Sequence, residues 1–433
     1  MLIKVKNIIS KADRFLFKKF GSDKTIKSLE NLKEARIIFS YLNEIGKETV
    51  VRFVGGCVRK ALSGETVDDI DLATSLEPEV VKSKLAKNNV KVIDTGILHG
   101  TVTAILSNKK FEITTLRKDI LPDGRHSKVE FTLDWERDSQ RRDFTINAIY
   151  ADIEGRIFDP LSGRLDLQNG KIKFIGSPLD RIQEDYLRIL RYFRFFTQYS
   201  KLEHDREVIR SIKQNVNGLN KISKERIFDE LQKILSLKNI SNLFINDDSK
   251  EIILNIFPQF KHYQRLKNIN KLNKNIIKLY DTDLILASLI LDDSNNYEFF
   301  CYKYKTSNAI KNRFKNICDN LENLKNKEFY SEKNIKRLIY FTHKDSVKDL
   351  LLFSLLENRR VKTESIEKLL IYIDNYKVPK FSISGDYLME RGYKSGQDLG
   401  KKLKFLEKKW IENDFNLDKK MIEKSLGKIA NGD

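Results

Sequence analysis

The chain has 433 residues, too many for one compact domain, and 40% apolar with 33% charged residues is typical of a globular protein. A net charge of +19 points to a polyanionic partner such as nucleic acid or a membrane surface. No apolar run is long enough to span a membrane, and the three widely spaced cysteines form neither a zinc motif nor a disulfide framework, so we expect a cytoplasmic protein with no membrane partner.

The first elements lead into a glycine turn. Residues 1–20 are basic and lack the apolar core of a signal peptide, so we expect a surface helix there, with an organellar transit peptide as the alternative. Helical spacing of apolar residues predicts a helix over residues 25–46 that is closed by Gly46. The strand Val50–Val54 follows and feeds the turn.

The turn opens the most informative stretch of the chain. Gly55 and Gly56 have no Cβ, so the backbone can turn sharply and approach a ligand, and a short helix with Arg59 comes next. Period-two alternation then places Asp69 and Asp71 on one face of a strand. Paired carboxylates are tolerated best around a divalent cation, and oxygen ligands suit Mg²⁺. The stretch predicts metal-assisted phosphoryl or nucleotidyl transfer, with an Asp-rich loop after a plain turn as the alternative.

Strands and single helices alternate from here to about Pro160, which predicts an α/β domain. A Lys-rich helix is expected over residues 79–88. The predicted strands and hairpins are Val90–Asp94, Gly100–Leu106 and Lys110–Leu116, with a turn at Ser107-Asn108 and a further hairpin over Ala148–Phe158. From about Asp180 the period-two pattern ends and helical spacing continues to the C-terminus.

Glu112 is a third candidate carboxylate. It lies on the strand face opposite Phe111 and Ile113, a position that is usually solvent-exposed. If its strand lies beside the Asp69–Asp71 strand, Glu112 completes the metal site.

The string RRDFTINA begins at Arg141. Arginine suits bidentate phosphate contacts, so Arg142 is a candidate triphosphate ligand, and we expect Asp143 to hold its neighbour in place. A helix N-terminus with surface charges is the alternative.

The string EDYLRILRYFR spans residues 184–194. On a helix, Asp185 and Arg188 are i,i+3 neighbours that present their tips together, and Arg191 and Arg194 continue at the same spacing. This spacing predicts a base-reading pair. The carboxylate of Asp185 would accept a hydrogen bond from the exocyclic amine of cytosine or adenine, and Arg188 would donate to the adjacent ring nitrogen or carbonyl. Uracil and guanine place a carbonyl there instead, which leaves the carboxylate unpaired. An ordinary intrahelical salt bridge is the alternative.

These strings, in this order, resemble the signatures of class II CCA-adding enzymes and bacterial poly(A) polymerases, within the polymerase-β-like nucleotidyltransferase superfamily. The resemblance covers about Phe53 to Leu235 and includes the Ile222–Lys233 segment, whose Arg226 and Glu230 would brace the preceding helix. Lys60 departs from the pattern, since the family usually has Asp there.

The resemblance implies an α+β fold. A nucleotidyltransferase head with a mixed sheet (25–160) would precede an all-α neck that selects the nucleotide (161–240) and a helical body and tail that bind tRNA (241–433). Asp69, Asp71 and Glu112 would be catalytic, with Asp69 and Asp71 as ligands of Mg²⁺. The implied nucleotide-binding residues are Gly55, Gly56, Arg59, Arg142, Asp143, Asp185, Arg188, Arg191 and Arg194.

The implied reaction is template-independent addition of CCA, from CTP and ATP, to the 3′ end of tRNA by two-metal nucleotidyl transfer. A poly(A) polymerase, or a relative that adds only CC or only A, would share the catalytic motifs. A non-catalytic RNA-binding protein is the alternative from another class. The His99–Thr103 run and the region around Gly124 look more like the CCA-adding enzymes.

Overall fold

The computed structural model divides the chain into two compact units, Met1–Ile256 and Phe257–Asp433. The structure describes residue 29 and residues 32–43, 50–121, 128–357 and 361–426. None of the helices in these ranges combines the length and apolar character that crossing a bilayer requires. The basic segment 1–20 lies outside the described residues.

A seven-stranded mixed sheet forms the centre of the first unit. Its order is β3-β4-β5-β2-β1-β8-β9, and β6 pairs with β7 in a separate hairpin. The strands are β1 Val51–Val54, β2 Ile70–Thr74, β3 Lys91–Gly96, β4 Thr101–Leu106, β5 Lys109–Thr115, β6 Arg117–Leu121, β7 Lys128–Phe131, β8 Tyr150–Ala151 and β9 Ile157–Phe158. The pairing of β2 with β5 is parallel, and the other pairings within the sheet are antiparallel.

The parallel pair sets up the site. Ile70 lies opposite Phe111, and Asp71 lies opposite Glu112. Ile70 and Phe111 are buried in the core. Because successive side chains of a strand point to opposite faces, this register directs Asp71 and Glu112 to the other face of the sheet. The adjacency of the two strands, the condition on which the predicted role of Glu112 depends, is present.

Helices surround the sheet and complete the first unit. They are α1 Lys33–Leu42, α2 Gly56–Leu62, α3 Pro78–Lys87, α4 Trp135–Gln140, α5 Gly163–Asn169, α6 Pro178–Glu184, α7 Arg188–Tyr199, α8 Arg206–Asn215, α9 Lys224–Leu235 and α10 Asp247–Ile256. The helix predicted over 25–46 ends early, at Leu42, because Asn43 has an extended backbone (φ −80°, ψ 146°). Gly46, its predicted cap, lies outside the described residues.

Most other predicted elements of the head agree with the structure to within one or two residues. Ser107 and Asn108 form the expected hairpin turn, and both have the positive φ (48° and 64°) that a tight two-residue hairpin turn requires. The β6–β7 hairpin was not predicted. Lys128–Phe131 does alternate polar and apolar residues, but its partner strand Arg117–Leu121 does not.

The second unit is helical, as predicted. Its helices are α11 Leu266–Ile269, α12 Lys274–Ile277, α13 Thr282–Ile290, α14 Asn296–Tyr304, α15 Asn308–Asn320, α16 Glu332–Phe341, α17 Lys344–Glu357, α18 Thr363–Asn375, α19 Gly385–Met389, α20 Gln397–Glu412 and α21 Lys419–Leu426. Helix α17 is buried on most sides and packs against α15, α16 and α18. The α+β fold class, a mixed-sheet head followed by helices, is therefore confirmed.

We expect Gly163 to be intolerant of a side chain. A Cβ there would overlap the backbone carbonyl of Thr145, whereas a Cβ at Gly400, inside α20, would meet nothing within 4 Å. Gly163→Ala should cost about 3 kcal/mol of stability through overpacking. The control Gly400→Ala should gain up to about 1 kcal/mol through helix propensity. Urea unfolding followed by Trp135 and Trp410, one in each unit, measures both changes. Equal stabilities for the two variants would contradict this packing.

Candidate active site

A cavity of about 830 Å³ in the first unit contains nearly all of the predicted site residues. Its charged lining comprises eight arginines and four carboxylates, an excess of positive charge that suits a triphosphate. The predicted residues among its lining are Gly55, Gly56, Arg59, Asp71, Glu112, Arg142, Asp143, Asp185, Arg188, Arg191 and Arg194.

Asp71 and Glu112 are the acidic residues on the sheet side of this cavity. Positions for a Cβ on Gly55 and Gly56 lie 3.7 and 3.6 Å from Asp71 Oδ2, so the glycine turn passes directly over this carboxylate. Gly55 has φ +70°, a conformation that favours glycine. Burial, followed by the charge of Glu112, raises the pKa of Asp71 to about 6.

Asp69 is placed differently from the prediction. Strand β2 begins at Ile70, so Asp69 lies in the bend before it, is exposed, and is not part of the cavity lining. The expectation that Asp69 and Asp71 share one strand face is therefore wrong for Asp69. The charge of Asp69 still contributes to the raised pKa of Asp71.

The carboxylates suit a divalent cation. Asp71 and Glu112 are neighbouring oxygen donors whose repulsion a cation would relieve. Within the described ranges, no three His, Cys, Asp or Glu side chains converge as a complete metal cage. Such a site matches metals that take one or two protein carboxylates and complete their coordination with water and substrate phosphates.

Asp138 holds Arg142. Its Oδ2 accepts from Arg142 Nε and Nη2 at 3.2 and 3.1 Å, while Oδ1 accepts from Arg141 Nε at 2.8 Å. The hydroxyl of Tyr150 also donates to Oδ2 at 2.7 Å. Burial alone would raise the pKa of Asp138, but the two arginines outweigh it and hold that pKa well below its usual range. The anchor of Arg142 is thus Asp138, and the expectation that Asp143 holds it is wrong.

Asp143 pairs instead with Arg191 of α7. Its Oδ2 accepts from Arg191 Nε at 2.7 Å, and its Oδ1 accepts from Asn147 Nδ2 at 2.8 Å. Burial would raise the pKa of Asp143, but Arg191 holds it well below its usual range. The aspartate of the RRDFTINA string therefore ties this string to helix α7.

Asp185 and Arg188 do not share a helix. Asp185 follows the end of α6 with an extended backbone (φ −152°, ψ 104°), and α7 begins at Arg188. The i,i+3 helical pairing predicted for them is therefore wrong, although both residues line the cavity. Glu184 Oε2 accepts from Arg188 Nη1 at 2.5 Å, and Asp185 Oδ2 accepts from Arg226 Nη2 at 2.8 Å.

Helix α9 braces this segment, as the resemblance implied. Arg226 donates to Asp185, and the buried Glu230 accepts from Arg194 Nε at 2.5 Å. Two residues of α9 thus fix one acidic and one basic residue of the predicted nucleotide pocket.

Arg59 is more enclosed than a simple phosphate ligand. It is 5% exposed, donates to Asn147 Oδ1 and to the hydroxyl of Tyr199, and lies 4.5 Å from the ring centre of Phe195. These cation–π and hydrogen-bond contacts join α2 to α7. Lys60, the departure from the family pattern, pairs with Asp68 at 3.4 Å outside the cavity lining.

Sequence reasoning missed several residues that shape the cavity, among them Asp138, Arg181, Phe195 and Tyr199. Asp138 lies at i−3 and i−4 from Arg141 and Arg142, a spacing that indicates a helical ion pair. That spacing was the one available signal, and nothing in it shows that Asp138 is buried.

The fold and the site together define a nucleotidyltransferase. A family model described as the poly A polymerase head domain matches residues 51–173, and one described as a probable RNA and SrmB-binding site of polymerase A matches residues 202–264. The chain is 33% identical to the mouse mitochondrial CCA tRNA nucleotidyltransferase 1 over 90% of its length and 88% of the relative's. It is 30% identical to the CCA-adding enzyme of Lactobacillus helveticus over 91% of its length and 96% of that enzyme's. The chain belongs to the CCA tRNA nucleotidyltransferase family, whose bacterial members are named CCA-adding enzymes.

Solved structures share the fold. The CCA-adding enzyme of Bacillus stearothermophilus, in complex with CTP, aligns with a TM-score of 0.68 at 24% identity, covering 88% of this chain and 93% of that one. The Thermotoga maritima enzyme, complexed with tRNA, aligns with a TM-score of 0.61 at 20% identity, covering 93% and 98%.

We expect the raised pKa of Asp71 to appear in the stability of the metal-free protein. Its folded pKa of about 6 exceeds its ordinary value of 3.8, so ionisation destabilises the fold as the pH rises through this interval. In EDTA at pH 8, Asp71→Asn should be more stable than the wild type by about 3 kcal/mol, and the difference should shrink as the pH falls toward 4.

Urea unfolding in EDTA at several pH values measures this difference. The control Asp94→Asn changes an exposed residue that pairs with Lys82, so it should stay within about 0.5 kcal/mol of wild type. Added divalent cation should stabilise the wild type but not Asp71→Asn. An Asp71→Asn variant that is less stable than wild type at pH 8 would contradict the raised pKa of Asp71.

Proposed function

We propose that this protein adds CCA, from CTP and ATP, to the 3′ end of tRNA without a nucleic-acid template. The observation that carries the proposal is that one cavity contains the carboxylates of Asp71 and Glu112 together with Asp185 and Arg188. A nucleotide bound in this cavity would therefore meet both the carboxylates suited to phosphoryl chemistry and the two residues proposed to read the base. The relatives are named for this reaction, and solved relatives are described in complex with CTP and with tRNA.

Base selection is assigned to Asp185 and Arg188. Arg226 holds the carboxylate of Asp185, and Glu184 holds the guanidinium of Arg188, so both groups are oriented by contacts outside the nucleotide. Cytosine and adenine offer an amine to the carboxylate, and uracil and guanine place a carbonyl there. Preorganised polar groups that are left unpaired by the wrong base give strong discrimination.

Triphosphate binding is assigned to Gly55, Gly56, Arg59, Arg142 and the arginines of α7. The bonds of Arg142 to Asp138 and Tyr150 use Nε and Nη2, while Nη1 lies 3.7 Å from the Cβ position of Gly55. An anchored arginine is suited to orienting a phosphate, because its fork is already fixed. Arg191 and Arg194 extend this charge along the neck, and Asp143 serves by orienting Arg191.

Asp69, Asp71 and Glu112 are proposed to hold Mg²⁺, with Asp71 as the central ligand. When bound, the metal would activate the tRNA 3′-hydroxyl and neutralise charge on the leaving pyrophosphate. The protein's own part is to hold Asp71 beside Glu112, and to keep Asp71 partly buried beneath a glycine turn that lets the nucleotide approach.

The remaining assignments are those that the sequence predicts. The proposed division of the chain is a head (25–160), a nucleotide-selecting neck (161–240) and a tRNA-binding body and tail (241–433). The strongly basic chain would follow the tRNA backbone by phosphate contacts. A cytoplasmic location is proposed from the three free cysteines, which suit a reducing compartment, while the mouse and human relatives are named mitochondrial.

The test is incorporation of each labelled nucleotide, with Mg²⁺, into a tRNA that lacks its 3′ end and into an unstructured RNA. We expect C, C and A to be added to the tRNA alone. Asp71→Ala should lower incorporation by about a thousandfold, because several kcal/mol of charge stabilisation are lost. It should leave tRNA binding unchanged, and Asp94→Ala serves as the matched control.

Other outcomes identify the alternatives. A long A tract on either RNA would make the protein a poly(A) polymerase, and addition of only CC or only A would make it a partial enzyme. No incorporation, with intact tRNA binding, would leave a non-catalytic RNA-binding protein. Activity that survives Asp71→Ala would refute the metal assignment.

A further inference from the structure

Arg181 occupies a central position between two parts of the site. It lies on α6, is 9% exposed, and belongs to the first unit. Its side chain is absent from the cavity lining, so its influence on a bound nucleotide passes through other residues. Burial and the neighbouring charge of Arg188 lower the pKa of Arg181, which means that holding a cation here costs free energy.

One side of the Arg181 guanidinium binds the loop that contains Arg141 and Arg142, where the triphosphate is proposed to bind. Nη2 donates to the backbone carbonyls of Arg141 and Arg142, both at 2.5 Å. Asp138 anchors the side chains of the same two residues. The loop is therefore held through its side chains from α4 and through its backbone from α6.

The other side of the Arg181 guanidinium binds Glu184, next to the residues proposed to read the base. Arg181 Nη1 donates to Glu184 Oε2 at 2.5 Å, and the same oxygen accepts from Arg188 Nη1 at 2.5 Å. Arg188 Nη1 also donates to the carbonyl of Arg181 at 2.7 Å. The orientation of Arg188 thus depends on Glu184 and Arg181 together.

These contacts form one continuous polar connection. It runs from the backbone of Arg142 through the buried Arg181 and the half-buried Glu184 to Arg188. Hydrogen bonds that involve charged groups are strong, and members of one network affect one another, so a displacement at one end is felt at the other.

We propose that Arg181 is a positioning residue that couples base recognition to placement of the triphosphate. When Arg188 engages a correct base, Arg181 holds Arg142 in the position that supports the reaction. A wrong base displaces Arg188, and the displacement reaches Arg142 through Glu184 and Arg181. The inference rests on the proposed function, since it assigns the base to Arg188 and the triphosphate to Arg142.

The test compares kcat and KM for CTP and UTP, on tRNA that lacks its 3′ end, in the wild type, Arg181→Met and Arg181→Lys. We expect Arg181→Met to lower the CTP-to-UTP ratio of kcat/KM by 10- to 100-fold, mainly through a lower kcat for CTP. Arg181→Lys, which keeps the charge but not the fork, should recover part of the ratio. Arg137→Met, which changes a mostly exposed arginine of α4, is the matched control and should leave the ratio unchanged.

A purely structural role gives a different result. Lower stability alone would reduce the rates with CTP and UTP equally and would leave the ratio at its wild-type value, which would overturn the proposal. Thermal unfolding identifies variants that fail to fold. If Arg181→Met is one of them, Glu184→Gln, which weakens the same connection while keeping a hydrogen-bonding amide, must lower the ratio instead.

Different results refute the proposed function and the proposed coupling. Wild-type protein that incorporates no CTP refutes the proposed function. Wild-type protein that discriminates, together with Arg181 variants that discriminate equally well, refutes the coupling alone.

Discussion

The site depends on buried carboxylates that each fix an arginine. Asp138 fixes Arg142, Asp143 fixes Arg191, and Glu230 fixes Arg194. Guanidinium groups that are crowded into one cavity repel one another, so without these anions they would turn toward solvent. Removing one partner of such a buried pair is costly, about 3–5 kcal/mol, because the remaining charge is left uncompensated. The acids therefore determine where the cations point when a nucleotide arrives.

The sheet supplies the opposite constraint. The parallel register of β2 and β5 forces Asp71 and Glu112 together, and burial followed by the charge of Glu112 raises the pKa of Asp71 to about 6. The carboxylates on the sheet are thus held in unfavourable repulsion, while the acids around the arginines are held in favourable pairs. A metal bound to the first set and a triphosphate bound to the arginines would relieve both concentrations of charge. This division explains how one cavity can hold eight arginines beside four carboxylates.

The sequence predicted those parts of the fold and site that follow from local periodicity. Alternation predicted the strands and placed Asp71 and Glu112 on faces that the parallel pairing then joined. It did not show that the helix breaks at Asp185, because Asp185 and Arg188 have the i,i+3 spacing of a helix. At the break, the Asp185 carboxylate accepts from the backbone N–H of Leu187 and from the distant Arg226. Whether a residue is buried likewise cannot be predicted from its neighbours in the sequence. Asp138 sits in a short, charged helix that looks like surface, yet it is fully buried. The partners of Asp143 and Arg194 come from other elements and could be found only in three dimensions.

The most direct test of this account is a double-mutant cycle on Asp143 and Arg191, read as the affinity for CTP at equilibrium. If Asp143 acts by orienting Arg191, Asp143→Asn should weaken CTP binding about tenfold even though it removes a negative charge from the cavity. The double variant with Arg191→Met should then bind no more weakly than Arg191→Met alone. CTP affinity that is unchanged or higher in Asp143→Asn, or losses that simply add, would contradict the claim that buried carboxylates position the arginines of this site.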